Sequence, residues 1–286
     1  MPELPEVQTT VDGLNKTVKG KHIVSVWTDY SSPFYKNKED IKNPVFYKKF
    51  KKEVSGQKIL KTERRAKNIL IRLENGKTIL VHMKMTGFFY YDPRPDAKFV
   101  RLRLTLSDGK ILAFSDMRKF AKVTLINTPS TKSSPHLLHL GPEPLEPSFK
   151  LQSFNSQLKK RPNGKIKQVL MDQTLIAGIG NIYSDEILWR ADVHPLSRVG
   201  KIPPHQMQSM FKAMKETLAK GIEFGGDSMS DYKNIHGEKG SFQDHHHAYQ
   251  KYGEECDKKG CSGVLEKLRI GGRTAHFCPK HQKLFI

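Results

Sequence analysis

The sequence predicts an α+β chain with a mainly β N-terminal part, a helical second part and a short cysteine-bearing hairpin at its end. Three observations carry that reading. Two N-terminal segments run as apolar-rich strands into Asn-Gly and Asp-Gly turns, the apolar spacing becomes helical beyond residue 147, and all three cysteines lie at or beyond residue 256.

The chain opens MPELPEV, crowding Pro2, Glu3, Pro5 and Glu6 into an end that usually frays. Removal of the initiator methionine leaves Pro2 with a free secondary amine beside a carboxylate. Val7, Val11, Leu14 and Val18 follow at helical spacing and predict one apolar stripe. ILIRLENGKTILVHM turns at Asn75-Gly76 and RLRLTLSDGKILAF at Asp108-Gly109, dipeptides that tolerate the positive φ of tight hairpins. Residues 1–130 therefore form one expected domain. NTPSTKSSPHLLHLGPEPLEP has linker composition, and the linker is placed at 131–148.

In the expected helical domain, 149–248, HQMQSMFKAMKETLAKGIEFGG sets Met207, Met210, Phe211, Met214, Leu218 and Ile222 on one face and stops at Gly225-Gly226. Residues 226–248 are polar and aperiodic, hence loop. Residues 249–286 form the expected terminal hairpin.

With 49 Lys+Arg against 29 Asp+Glu, the formal charge is +20. Such an excess points to a polyanionic partner, nucleic acid first, with an acidic membrane surface or an RNA scaffold behind it. No stretch has the length of a spanning helix and the start lacks a signal-peptide pattern, so a soluble, cytoplasmic protein is expected.

Cys256-x4-Cys261-x16-Cys278-x2-His281 offers two close ligand pairs separated by a hairpin-sized gap, a spacing suited to tetrahedral zinc. His276 competes with His281 for the fourth position, although it would point from within a strand. His245, His246 and His247 are consecutive, converge poorly on one ion and are expected in a solvated loop. In IAGIGNIYSDEI, a glycine turn opening a helix capped by Asn181 can present backbone N–H groups to one phosphate, or can simply join two helices. Arg118 and Phe120 in FSDMRKF, and Arg64, Arg65 and Lys67 in ERRAKN, interleave charge with apolar groups as nucleic-acid contacts do.

PELPEV, RRAK, HMKMTG, DMRKF, LGPEPL, IKQVLMDQ…GIGNIYSDE and the terminal cysteine hairpin, in this order along nearly the whole chain, make it resemble the formamidopyrimidine-DNA glycosylase and endonuclease VIII family of DNA repair enzymes. Leu4 favours the formamidopyrimidine branch, since the other branch usually has glycine there. The resemblance implies an N-terminal β-sandwich with flanking helices, a helix-two-turn-helix domain and a terminal β-hairpin zinc finger. It implies damaged double-stranded DNA as partner, a monomer acting at the bacterial nucleoid, and one structural Zn2+.

It also implies roles. The Pro2 amine attacks the sugar C1′ and forms a protonated Schiff base, Glu3 is the general acid–base, Lys67 assists near the phosphate, and Arg273 grips phosphates beside the lesion. A free α-amine with a pKa near 8 keeps a usable unprotonated fraction at neutral pH. The flipped nucleotide's gap falls to Met85, Arg118 and Phe120, the phosphate grip to Lys167 and Asn181, and a mobile lid over the base to 226–242. This chain departs from the family in its x4 first spacing, in His281 where cysteine is usual, and in Ala97-Lys98-Phe99 where a DNA-contacting histidine often stands; Lys98 is the expected substitute. Oxidised purines are the expected substrates. An endonuclease VIII-like preference for oxidised pyrimidines, or a non-catalytic zinc-hairpin nucleic-acid binder, are the alternatives.

Overall fold

A computed structural model describes residues 1–129 and 134–286; the expected boundary at 130/131 falls outside the described residues. The chain forms two compact units, Met1–Leu138 with Phe224–Ser241, and His139–Glu223 with Phe242–Ile286.

The first unit is a β-sandwich. Helix α1 (Leu4–Thr17) precedes β1 (Ile23–Thr28) and α2 (Pro44–Val54); strands β2 (Ile59–Arg65), β3 (Asn68–Leu73), β4 (Lys77–His82), β5 (Gly87–Tyr91), β6 (Val100–Leu106), β7 (Ile111–Asp116) and β8 (Lys122–Asn127) follow. Two antiparallel sheets result, ordered β1-β6-β7-β5 and β2-β3-β4-β8. Val26, Leu102, Leu104 and Phe114 of one sheet are buried in the same core as Ile69, Ile71, Ile79 and Val81 of the other. The predicted stripe of Val7, Val11, Leu14 and Val18 is fully within that core; burying each such side chain is worth about 1.5–3 kcal/mol.

Both hairpin turns form where the sequence puts them, but only the glycines take positive φ, Gly76 at 72° and Gly109 at 81°. Asn75 and Asp108 act through their side chains, accepting the amides of Lys77 and Lys110 at 3.2 Å each.

Segment Phe224–Ser241 belongs to this first unit, not to the helical one. The reason is apolar: Tyr232 and Ile235 are buried, and Ile235 joins the sandwich core beside Gly13 of α1. Its carbonyl also accepts the amide of Tyr91 at 2.7 Å. The lid expected over 226–242 within the helical domain thus packs, as far as Ser241, with the sandwich.

The second unit contains α3 (Leu151–Leu158), α4 (Ile166–Met171), α5 (Asn181–Arg190), α6 (Pro204–Glu223) and an antiparallel hairpin of β9 (Glu266–Ile270) and β10 (Arg273–Phe277). On α6, Met207, Met210, Met214 and Leu218 are buried as predicted, with Phe211 and Ile222 half-buried. Of the three consecutive histidines His245 is exposed, as expected of a solvated loop, but His246 and His247 are not. The amides of His247, Ala248 and Tyr249 converge on the Glu186 carboxylate at 2.8–2.9 Å, satisfying a carboxylate that is itself buried. His246 is buried, and the His247 ring stacks on Trp189 with centroids 4.3 Å apart.

Candidate functional site

The crowded N-terminus is a built structure. Pro5 lies in the first turn of α1, where a missing N–H costs nothing. Glu3 and Glu6 form a reciprocal capping box, the Glu3 amide donating to Glu6 Oε2 at 2.7 Å. Oε1 of Glu6 accepts the Asp227 amide at 2.8 Å, and the Glu6 carbonyl accepts the Tyr232 hydroxyl at 3.0 Å. Glu6 thereby fastens both the chain start and the 224–241 segment. Pro2 is buried, and Glu3 is only 2% exposed. With Met1 attached, the Pro2 nitrogen is an amide.

Lys67 sits in the tight β2–β3 turn, after Ala66 at φ 53°, and is 6% exposed. Strand β2 is bolted to α1 by reciprocal bonds between Asn15 and Thr62, at 2.9 and 2.8 Å, and by the Thr62 hydroxyl on the Val11 carbonyl at 3.0 Å. Arg64 reaches Gln8 of the same helix at 2.9 Å. The helix bearing Glu3 and the turn bearing Lys67 are therefore fixed to one another.

His82, which sequence reasoning passed over, ends β4 between Asn68 and Lys122 in the sheet register. Its Nδ1 accepts the Lys84 amide at 3.0 Å, leaving Nε2–H as a donor. Burial, and then the charges of Lys84 and Lys67, push its pKa down to about 3. A neutral imidazole among lysines is an N–H donor for an anion at any physiological pH. The signal was present in HMKMTG, a histidine three residues before Met85.

Met85, Arg118 and Phe120 come together. A guanidinium nitrogen of Arg118 lies 3.2 Å from Met85 Sδ, and its carbon stands 4.7 Å over the Phe120 ring. Met85 and Phe120 are exposed large apolar side chains, at 42% and 51%. Lys98 is exposed as well and lines, with Tyr90, Arg94, Lys233 and His236, a cleft of about 800 Å³.

In the second unit, Asn181 is the first residue of α5 and Gly180 its N-cap, which corrects the expectation that Asn181 caps the helix. The turn is held by Gln173, whose side chain accepts the Gly178 amide at 2.9 Å and donates to the Ile179 carbonyl at 2.7 Å. Gly178 has φ 93°, which is why glycine stands there. The Oδ1 of Asn181 is buried without a hydrogen-bond partner. Lys167 is turned inward: it is 1% exposed, and its Nζ lies 2.5 Å from Asp185 Oδ1 and 3.3 Å from the Asn181 carbonyl. Its ammonium positions the start of α5 instead of offering itself at the surface.

The other Asp185 oxygen accepts from the His276 amide at 3.0 Å and lies 3.2 Å from His276 Nδ1. His276 is thereby spent, and β10 is tied to α5. Arg273 stands exposed where β10 leaves the Gly271-Gly272 turn.

Cys256, Cys261, Cys278 and His281 form the group able to hold a metal ion, their ligand atoms all within 4.8 Å of one another. Cys261 and Cys278 sulfurs are 3.7 Å apart, and Cys256 Sγ is 3.4 Å from His281 Nδ1. Tetrahedral zinc sets such atoms about 3.8 and about 3.6 Å apart, so the residues fit the ion. His281 Nε2 faces the Trp189 carbonyl at 3.2 Å, directing Nδ1 to the metal. Burial pushes the Cys256 thiol up to about 11, so a bound cation is what would hold it as thiolate at neutral pH.

Sandwich, glycine turn and Cys3His hairpin define the class as a β-sandwich joined to a helix-two-turn-helix unit with a terminal metal-binding hairpin. Within that class the chain belongs to the formamidopyrimidine-DNA glycosylase family. The family model for the formamidopyrimidine-DNA glycosylase N-terminal domain matches residues 1–123, and that for its H2TH domain matches residues 140–233. The chain is 38% identical to a formamidopyrimidine-DNA glycosylase of Streptococcus pneumoniae serotype 4, over 99% of both chains, and 35% identical to one of Lactobacillus acidophilus over the whole of both. A solved complex of the Lactococcus lactis protein with abasic-site DNA superimposes with a TM-score of 0.85 at 31% identity, covering 97% of this chain and 98% of that one. A structure of MutM with carbocyclic 8-oxo-G DNA gives 0.85 at 32%, with the same coverage.

Proposed function

We infer that this chain is a DNA glycosylase of base excision repair that removes damaged bases from duplex DNA and carries an accompanying abasic-site lyase activity. The family membership, spanning both catalytic and helix-two-turn-helix regions, carries this conclusion. Relatives solved with 8-oxo-G and Fapy-dG DNA support oxidised purines as the substrates.

The mechanism follows from the residues. Once Met1 is removed, the Pro2 amine attacks C1′ and the damaged base leaves. Glu3, in a site dry enough to leave it 2% exposed, supplies the proton that opens the sugar or releases the base. The resulting iminium acidifies the C2′ proton, so the strand breaks by successive β- and δ-elimination. Lys67 and the neutral His82 donate to phosphates beside the reacting sugar. Asn181 and Arg273 hold the backbone from the second unit, with Lys167 and Asp185 orienting α5 behind Asn181. Met85, Arg118 and Phe120 occupy the space the extruded nucleotide leaves. Zinc, bound by Cys256, Cys261, Cys278 and His281, would shape the hairpin carrying Arg273 and leave no open coordination position for catalysis.

Borohydride trapping on a duplex with a single 8-oxoguanine tests this. Processed protein is expected to form a covalent adduct. A chain retaining Met1 is expected to bind the duplex and form none. Processed protein that binds oxidised duplexes without adduct or cleavage would leave only a nucleic-acid binder.

A further inference from the structure

The loop carrying Arg118 and Phe120 is anchored from beneath by groups far apart in sequence. Asp116 is completely buried. One of its carboxylate oxygens accepts the Thr86 hydroxyl at 2.7 Å; the other accepts the Tyr30 hydroxyl and the Ala121 amide, both at 2.9 Å. The Thr86 hydroxyl in turn accepts the Arg118 amide at 3.1 Å. One carboxylate thus fixes the residue after Met85, the residue after Phe120 and, through Thr86, Arg118 itself.

A second buried charge closes the clamp. Lys42 is 3% exposed, and its ammonium donates to the Ala121 carbonyl and, at 3.2 Å, to the Tyr35 hydroxyl. It stands 4.0 Å from Asp40 and 5.4 Å from the centroid of the Tyr30 ring. Ala121 therefore has its N–H held by a buried anion and its carbonyl by a buried cation, and Tyr30 touches both. Between these anchors the chain passes through Lys119 at φ 56°, a left-handed conformation that a non-glycine side chain adopts only where the surroundings impose it. Burial first, and then the Asp116 charge, raise the Tyr30 phenol far above its ordinary range, so it remains a donor throughout the working pH range.

We propose that Tyr30, Thr86, Asp116 and Lys42 form a positioning network that preassembles Met85, Arg118 and Phe120 in their gap-filling arrangement before DNA is bound, and so sets the rate of base extrusion and the reading of the opposite base. The proposal rests on the reading of those three side chains as gap-fillers. Its physical basis is preorganisation: a wedge already held in place does not lose loop entropy when it enters the stack. Buried, fully satisfied polar networks are well suited to hold one backbone geometry.

Tyr30→Phe and Thr86→Val each remove one hydroxyl with little change of shape. Each is expected to slow excision of 8-oxoguanine from duplex DNA about tenfold and to weaken discrimination between opposite bases. Each should also reduce the fluorescence rise of a 2-aminopurine placed beside the lesion. Borohydride trapping on a single-stranded abasic oligonucleotide, which has no stack to fill, is expected to match the parent chain and so reports an intact fold and nucleophile. In a Phe120→Ala background, adding Tyr30→Phe should cost clearly less than the roughly tenfold expected in the parent chain, because the wedge it helps to hold is already gone and only Met85 and Arg118 remain to be positioned. Parent-like duplex excision and opposite-base selectivity in both hydroxyl variants, alongside impaired Phe120→Ala, would overturn the network. So would an equal loss on single-stranded substrate, which marks a merely structural role. Unimpaired Phe120→Ala would instead sink the gap-filling reading.

Discussion

Arg118 and Arg273 are both presented on short loops, and the two loops are held in opposite ways. Arg118 stands on a turn whose neighbouring backbone groups are clamped by buried side chains of the sandwich, Asp116, Thr86 and Lys42. Arg273 stands on a two-stranded hairpin whose small core, Trp189, Ala248, Cys256, Leu265 and Cys278, includes two of the four candidate metal ligands. A sandwich of eight strands can bury enough apolar surface to hold charged groups in its interior. A hairpin cannot, and carries instead a Cys3His group through which an ion would cross-link it. Both constructions supply rigidity, which an arginine would need for presentation to a polyanion whatever its source.

Removing the metal should separate the two loops most sharply. Strong chelation, or Cys278→Ser, is expected to collapse the hairpin and weaken binding to abasic duplex by more than about 100-fold. The sandwich should keep its own unfolding transition, followed by circular dichroism. Equal loss of both transitions would erase the distinction.

The tie from β10 into α5 through Asp185 is tested by stability. Asp185→Asn leaves the buried Lys167 ammonium without its anion, a change worth about 3–5 kcal/mol in buried pairs. It should lower the melting temperature of the helical unit and disturb the Asn181 turn and the hairpin together. Thermal melting with binding at fixed salt reads both.

A pH dependence is expected from His82. The folded-state pKa of His82, about 3, lies below its unfolded value near 6.5. The unfolded chain therefore takes up this proton first. Stability linked to His82 is fully present above pH 6.5 and is lost as pH falls towards 3. His82→Gln should flatten the stability profile of the sandwich in that window, measured by denaturant titration, while leaving the metal hairpin's own acid sensitivity in place.

What could be read in advance was set by short-range chemistry. The α1 stripe, the two hairpin turns, the α6 face and the Cys3His ligand set depend on period, on glycine's access to positive φ and on ligand spacing, all of which are local in the chain. Sequence also set the family through the order of its motifs. Tertiary structure decided how the long-range charges were used. Lys167 is turned inward onto Asp185 and not outward, His276 serves Asp185 and not the metal, His82 is neutral among lysines, Glu186 gathers the amides beyond His246, and the 224–241 segment is seated on the sandwich through Tyr232 and Ile235. Except at His82, whose Nδ1 accepts the amide of Lys84 two residues on, the partner that lies within a few ångströms after burial is fixed by packing between residues tens to hundreds of positions apart. No local pattern encodes that distance.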